Sequence, residues 1–381
     1  LDIDKPDPDL YPKGMLLFNT RRSGYNVKEF RSKHFSRANF ANTSTYPTLP
    51  GETDAWVTVS GNKSDGSPYM GRKAQRALVV KQLQAAVSSN TELREEQREF
   101  NVLAAPGYVE LIDELVTLSG DRGNTAFVVG DSPARLANNS TDITNWATNA
   151  NSSASNDEDG LVTSDSFTAV YYPWGTSTDL AGNNVFVPPS HMVLRTLAVN
   201  DDVAFPWFAP AGIRRGVVDN ATSVGYIKAS TGEKQVIAVS QGIRDTLSTN
   251  RVNPISFLTG AGLTIFGQKT RHSGTSALDR VNVARLVVFI RTQLDKLSQP
   301  FIFEPNDELT RNEIKQAVES FLLEIQGQRG LYDFAVVCDE TNNTPTRIDR
   351  NELYVDIAIE PVKAVEFIFI PIVRINNFCF G

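Results

Sequence analysis

The chain has 381 residues, and its hydrophobic content of 41% and charged content of 21% are ordinary for a globular protein with room for two or three domains. Its formal net charge of −7 argues against a nucleic-acid backbone as the main partner, because phosphate contacts require a basic surface. The two cysteines, Cys338 and Cys379, are too few for a disulfide framework or a cysteine-based zinc site. The longest apolar run is short and contains Pro371, so we expect no membrane anchor.

Residues 1–70 are rich in Pro, Gly, Asn, Ser and Asp, which predicts a peripheral region of loops and short strands. Residues 71–100 follow a helical period. Strands are then predicted at residues 101–105, 125–130 and 167–172, and helices at residues 108–118, 141–148 and 188–199. This alternation is typical of a mostly parallel sheet covered by helices on both faces. Residues 71–249 are therefore predicted to form a central α/β domain, with residues 200–249 irregular.

The pattern changes after Thr249. Two long helices are predicted at residues 278–297 and 307–326, and strands at residues 255–258, 263–266, 334–337, 352–359 and 364–373. Residues 250–381 are therefore predicted to be a separate α+β domain. The fold class is multidomain, α/β followed by α+β.

The last predicted strand, residues 364–373, is apolar on both faces. Val365, Phe367 and Phe369 would point one way, and Ile368 and Ile370 the other. Such a strand needs cover on both sides, although it lies close to the end of the chain. On the residues alone, that cover could come from its own domain or from another copy of the chain.

A set of short segments carries a family resemblance. Beyond residue 250 they read NRVNPI (250–255), LTIFGQKT (263–270), DRVNVARL (279–286), FEPN (303–306), VCD (337–339), TNNTP (341–345) and IDRNE (348–352). In this order and spacing they resemble the C-terminal domain of contractile phage tail sheath proteins. The segments YYPW (171–174), VPPS (187–190) and APAG (209–212) resemble the family's central domain, which has a subtilisin-like topology. The resemblance covers roughly residue 101 to the end.

The resemblance implies a mechanical role. Sheath subunits of this family polymerise as stacked six-membered rings around a rigid tail tube, then contract after a baseplate signal and drive the tube through the host envelope. The implied partners are further copies of the chain, the tail tube protein, and the baseplate and tail terminator proteins, in a virion tail assembled in the host cytoplasm. No enzymatic activity, cofactor, metal or direct nucleic-acid contact is expected. Because the chain starts with leucine and its first hundred residues do not match, we expect the family's N-terminal arm to be missing.

In this family the terminal arms of neighbouring subunits join one another's small sheets. The resemblance therefore implies that residues 364–373, including the five apolar residues named above, form an exchanged strand between subunits. It also makes charges on two C-terminal helices candidates for contact with the tube or the adjacent ring, namely Arg280, Arg285, Arg291, Arg311 and Lys315. The alternative for these charges is a solvent-exposed helix face with paired side chains.

One alternative is a sheath-like component of a related contractile injection device. The other is a degenerate subtilase-like hydrolase, because a subtilisin-like topology invites a search for a catalytic triad. Asp131 and His191 occur in the required chain order, and Gly-Thr-Ser triplets end at Ser177 and Ser276. The neighbours of Asp131 and His191 do not match the subtilase motifs, and a triad requires all three groups within hydrogen-bond reach. Helix-start and turn positions are the alternative interpretation.

Other kinds of site have weaker support. The acidic run at residues 156–160 resembles a calcium loop, but with Ser155 first the last ligand position falls on Ser166. The turn at Pro106-Gly107 has one glycine where a dinucleotide fingerprint needs three. The three histidines, His34, His191 and His272, have no companion at metal-ligand spacing. A carbohydrate- or receptor-binding function would depend on four aromatic residues, Trp56, Tyr171, Tyr172 and Trp174.

Overall fold

The structure of the protein is a computed structural model that describes residues 72–95, 97–150, 157–228 and 233–366. The chain divides after Pro300 into two compact units. The predicted peripheral region, residues 1–70, lies outside the described residues. Among those that are described, no helix is both long and apolar enough to cross a bilayer.

The first half of the first unit alternates helices and strands. In chain order its elements are α1 (Arg72–Ser89), a 3-10 turn (Glu92–Arg94), β1 (Val102–Ala104), a 3-10 turn (Val109–Leu111), α2 (Ile112–Asp121), β2 (Phe127–Asp131), α3 (Ser140–Ala147), β3 (Thr168–Tyr172), β4 (Trp174–Thr178), β5 (Asn184–Val187) and α4 (Pro189–Val203). The predicted helix at residues 71–100 ends earlier, at Ser89. Pro189 occupies the first turn of α4, where a proline loses no helical hydrogen bond.

The remainder of the first unit contains α5 (Gly212–Arg215), β6 (Ser223–Ile227), β7 (Lys234–Ile237), α6 (Gln241–Thr249), β8 (Val252–Leu258), β9 (Gly262–Ile265), a 3-10 turn (Ala277–Asp279) and α7 (Val281–Ser298). A 3-10 turn at Gln299–Phe301 falls at the boundary between the units.

A five-stranded sheet forms the centre of the first unit. Its strand order is β1-β2-β3-β8-β9; the first four strands are parallel, and β9 pairs antiparallel with β8. Every residue of β2 and β3 is buried, as expected for parallel strands that are covered on both faces. The predicted mostly parallel sheet is confirmed.

A second sheet was not predicted. Strands β5-β4-β6-β7 form a four-stranded antiparallel sheet, and α6 follows it, so the prediction that residues 200–249 are irregular is wrong. These strands are short, and β4 contains three hydroxyl side chains, so no strong apolar alternation marks them. Strand β4 pairs with β6 across nearly fifty residues, and such pairing has no local sequence signal.

The boundary between the units differs from the predicted boundary after Thr249. Strand β8 continues the parallel sheet beside β3, with Val170 opposite Val252, and β9 folds back on β8. Side chains of the following helix, including Val281, Ala284 and Val288, belong to the core of the first unit. Residues 250–300 therefore lie in the first unit, because their partners are strands and side chains from residues 101–249.

The second unit is an α+β arrangement built on one helix. It contains α8 (Glu308–Gly327), β10 (Leu331–Val337), α9 (Pro345–Ile348) and β11 (Asp356–Pro361). The Asp307 side chain caps α8 by accepting a hydrogen bond from the Thr310 backbone N–H at 2.9 Å. An apolar stripe of α8 at helical spacing is buried and packs on the β10–β11 side of the unit: Ile314, Val318, Leu322 and Ile325.

Candidate assembly surface

The two-stranded sheet of the second unit has one apolar face and one exposed face. Strands β10 and β11 are antiparallel, with Phe334 opposite Ile359 and Val336 opposite Ile357 on the more buried side. The other face is exposed and places the carboxylate of Asp333 directly opposite that of Glu360. Like charges in this position are unfavourable, so the exposed face contributes little to stability.

Both outer edges of this sheet lack a strand partner among the described residues, since β10 and β11 pair only with each other. An isolated pair of strands is marginally stable in water, and its free edges are templates for another strand. The alternation in β11, DIAIEP, marked this strand in the sequence. Nothing in the sequence identified β10 and β11 as edge strands, because an edge is defined only by strand pairings between distant residues.

The TNNTP segment, residues 341–345, closes the end of the sheet. The Asn342 side-chain amide donates to the carbonyls of Val337 and Tyr354 at 2.8 and 3.1 Å. The Asn343 amide donates to the Tyr354 carbonyl at 2.9 Å and accepts from the Tyr354 N–H at 2.7 Å. The Arg347 guanidinium lies 3.8 Å from the centre of the Tyr354 ring. This family-like motif therefore joins the end of β10 to the start of β11.

The NRVNPI segment, residues 250–255, also has a structural role. The Asn253 side chain is buried; it donates to the Lys269 carbonyl at 2.8 Å and accepts from the Lys269 N–H at 2.7 Å. Gly267 passes so close that an added Cβ would lie 2.9 Å from Asn253 Oδ1. These contacts fix the chain that leaves the β8–β9 hairpin.

The predicted exchange strand is only partly described. Val365 is 78% exposed and lies outside any assigned strand, and Pro361 ends β11 four residues earlier. Phe367, Ile368, Phe369 and Ile370 lie outside the described residues. An exposed valine in this position is compatible with pairing to another chain, and the strand stays a prediction.

The five candidate contact charges have different surroundings. Arg285 is buried and pairs with Asp201, with one Nη1–Oδ1 distance of 3.0 Å. Arg311 is buried and donates to the side chain of Asn306 at 3.1 Å. Because a contact with a tube or a ring requires an exposed charge, these two arginines do not fit the prediction.

The other three candidate charges remain accessible. Arg280 is half-buried and pairs with Asp279 at 2.7 Å, and Lys315 lies 4.0 Å from Glu319 one helical turn away. Arg291 is exposed, with its guanidinium 4.9 Å from the centre of the Phe167 ring. Of the five, Arg291 is the candidate best placed for contact on the α7 face.

A groove of about 330 Å³ runs beside α7 in the first unit. Its lining combines apolar with polar and charged side chains: Glu99, Phe100, Asn101, Pro206, Arg285, Val288, Phe289, Thr292, Gln293 and Lys296. Glu99 and Lys296 form an exposed ion pair of 2.7 Å, and Arg285 pairs with Asp201. Each charged side chain that lines the groove therefore already has a partner.

Asp131 and His191 are not joined by the hydrogen bond that a catalytic triad requires. Asp131 is buried, and its carboxylate accepts hydrogen bonds from the Gly107 N–H at 2.8 Å and from the N–H and hydroxyl of Ser190 at 2.6 and 2.8 Å. Burial raises the pKa of Asp131 to about 6, although these hydrogen bonds oppose the shift. The side chain of His191 is exposed, as is Ser276. Asp131 therefore anchors the N-terminus of α4 instead of orienting a histidine.

The other predicted sites resolve into structural roles. In the acidic run, the Asp157 carboxylate accepts from the N–H groups of Val162 and Thr163 at 2.8 and 2.9 Å, which closes a loop. His272 Nδ1 lies 2.8 Å from the Ser166 hydroxyl. No cluster of potential metal ligands occurs in the described part of the chain. Tyr171, Tyr172 and Trp174 are buried, so they offer no exposed binding platform, and Trp56 lies outside the described residues.

Comparisons with known proteins agree with the resemblance. Residues 273–373 match the family model of the phage tail sheath C-terminal domain. The tail sheath protein of Vibrio phage KVP40 is 35% identical over 185 residues, which cover 49% of this chain and 26% of that protein. The tail sheath protein of Enterobacteria phage T4 is 31% identical over 245 residues, 63% of this chain and 34% of that protein. The matches thus span about a third or less of these relatives' own length.

Solved structures share the fold. The contracted sheath complex of PVC, an extracellular contractile injection system, superposes with a TM-score of 0.59 at 21% identity, over 77% of this chain and 74% of that chain. The contracted helical sheath of the anti-feeding prophage superposes with a TM-score of 0.59 at 20% identity, over 81% and 78% of the two chains. The predicted resemblance is confirmed: this chain is homologous to tail sheath proteins and has the fold of contractile sheath subunits.

Proposed function

We propose that this chain is part of the structural subunit of a contractile phage tail sheath. In this proposal it polymerises in sixfold rings around a tail tube and contracts to drive the tube through the host envelope. The homology to phage tail sheath proteins carries the proposal. The two-stranded sheet, whose outer edges have no strand partner within residues 233–366, supplies a physical means of linking copies. Its partners are other copies, the tube, the baseplate and the terminator, in a virion tail assembled in the host cytoplasm.

The linkage follows from the chemistry of a strand edge. Residues 365–370 of one copy add to the free edge of the β10–β11 sheet in a neighbouring copy, where main-chain hydrogen bonds supply affinity. Apolar side chains on both faces of the added strand, Val365, Phe367, Ile368, Phe369 and Ile370, are buried by the joined sheets and by α8. A connection made of backbone bonds and a short tether holds while the bodies of the subunits rotate.

Energy for the motion is stored in assembly. The extended and contracted lattices bury different contacts between the same subunits, and the baseplate lowers the barrier between the two states. Exposed charges on α7, of which Arg291 is the best placed, make weak contacts that hold the extended state and break during contraction. Such contacts are each worth only a few tenths of a kcal/mol, so many of them release together.

The test compares the complete gene product with a version that ends at Pro361, by sedimentation and negative-stain electron microscopy. A third variant carries Ile368→Pro and Phe369→Pro, which remove two consecutive backbone donors whichever way the strand faces. Its matched control, Ile368→Val with Phe369→Leu, keeps the apolar character. We expect tubes from the complete chain and the control, and small folded particles from the other two.

Two results would contradict the proposal. Tubes formed equally well by the truncated and proline-containing chains would reject strand exchange while leaving a sheath polymer in place. A complete chain that stays monomeric at all salt concentrations would remove the main support for the polymer itself.

A further inference from the structure

A buried ion pair holds the first described helix. Arg76 in α1 is 6% exposed, and its guanidinium binds both carboxylate oxygens of Glu110, with Nε–Oε1 and Nη2–Oε2 distances of 2.6 and 2.7 Å. The same Nη2 donates to the Gly107 carbonyl at 2.7 Å, and the Tyr108 ring centre lies 5.1 Å from the guanidinium. Arg76 is thus held by one short stretch of chain, residues 107–110.

The described side chains of α1 provide few other anchors. Among its described side chains, only Val79 and Val80 are buried besides Arg76, and most positions from Lys81 onward are exposed. Its neighbours are α2 and the 3-10 turn at Val109–Leu111, so no strand of the central sheet is a major partner. Gln84 adds one bond, to the Glu110 carbonyl at 3.2 Å. Glu110 therefore contacts α1 through both its side chain and its backbone.

We propose that the buried Arg76–Glu110 ion pair is a charge clasp that anchors α1, and that breaking it releases α1 while the central sheet stays folded. Loss of one partner of a buried ion pair leaves the other charge buried and unpaired. The structural change that costs the least free energy is one that exposes this charge to water. Because the main neighbours of α1 are α2 and the 3-10 turn at Val109–Leu111, its detachment exposes Arg76 without unfolding the central sheet. This inference does not depend on the proposed function.

Hydrogen–deuterium exchange on the full chain tests the clasp. In Arg76→Met and in the milder Glu110→Gln variant, amides of residues 72–89 should exchange at least about 100-fold faster, while β2 and β3 keep their protection. Lys81→Met, on an exposed position of the same helix, is the matched control and should change nothing. The double variant should exchange no faster than the faster single variant, because both substitutions break one interaction.

Unchanged protection of α1 in both single variants would overturn the clasp. So would an equal loss of protection in β2 and β3, or additive effects in the double variant.

Discussion

Single polar side chains hold the irregular parts of this fold together. Asp131 receives three hydrogen bonds that join the turn at Gly107 to the start of α4, and Asn343 joins both ends of the β10–β11 connection. Both residues are buried, so the groups they satisfy have no access to water as an alternative partner. Substitutions at these positions should therefore be costly although neither residue is apolar.

Asp131→Asn should remove a pH-dependent contribution to the free energy of unfolding, and it should also remove hydrogen bonds. The folded-state pKa of Asp131, about 6, lies above its ordinary value of 3.8, so the ionised form is disfavoured in the folded protein. Its contribution to stability is therefore greatest below about pH 4 and is lost as the pH rises through 6. Asparagine cannot accept all three hydrogen bonds, so the variant should also be less stable by about 1–3 kcal/mol.

Urea unfolding of both proteins at pH 4, 5, 6 and 7 measures this effect. The difference in unfolding free energy between the natural chain and Asp131→Asn should shrink as the pH rises. A difference that grows with pH would mean that the ionised carboxylate is the favoured form in the folded protein.

Asn343→Ala should destabilise the second unit by about 1–3 kcal/mol, because it leaves the Tyr354 N–H without its side-chain partner and removes one of the two amide donors to the Tyr354 carbonyl. The exposed neighbour Glu340 supplies the control, Glu340→Ala, which should change stability by less than about 0.5 kcal/mol. Chemical denaturation, monitored by hydrogen–deuterium exchange of the β10 and β11 amides, measures the effects of both substitutions. Equal effects of the two substitutions would show that the Asn343 contacts contribute nothing net.

At the scale of elements, the two sheets of the first unit depend on different features of the sequence. The parallel sheet is built from strands whose apolar residues are continuous, and its neighbours follow in chain order except for β8. The antiparallel sheet depends on a close approach between β6 and β7. An added Cβ on Gly225 would lie 2.2 Å from the Gln235 carbonyl oxygen, so only glycine fits at this position.

Gly225→Ala should therefore cost about 1–3 kcal/mol, since the backbone of β7 would have to move. Gly242→Ala is the matched control: it lies in α6, where nothing is within 4 Å of the added Cβ, and it should stabilise by about 0.5–1 kcal/mol through helix propensity. Thermal unfolding monitored by circular dichroism distinguishes the two. Equal effects would indicate that the β6–β7 spacing relaxes freely.

For the whole molecule, the division into two units coincides with a division of charge. Residues 301–381 contain fourteen acidic and seven basic residues, so their net charge is −7. The entire chain also has a net charge of −7, so the first unit is close to neutral. Each unit also has its own buried apolar residues. Self-repulsion should therefore weaken the second unit at low ionic strength and leave the first unit unaffected.

We expect two calorimetric transitions, of which only that of the second unit rises when the salt concentration increases from about 20 to 200 mM. Asn343→Ala should lower the same transition and leave the other unchanged, which assigns it. A single transition that shifts as a whole in both experiments would mean that the units unfold together.

Strong local patterns made much of this protein predictable. The strands β2 and β3 and the helices α7 and α8 were predicted because apolar periodicity acts over a few residues. The family resemblance depended on segments whose side chains, such as Asn253 and Asn343, satisfy backbone groups in fixed turns. The order of these segments in the sequence was sufficient for the resemblance, whereas their contacts are given only by the structure.

Only the tertiary structure decided which long-range partners these elements have. It placed β8 beside β3, which moved the end of the first unit to Pro300, and it paired β4 with β6 across a segment predicted to be irregular. It also buried Arg285 and Arg311, which had been candidates for an exposed surface, and brought Arg76 to Glu110. Burial and pairing between residues distant in sequence depend on the whole packed chain, so no local pattern specifies them.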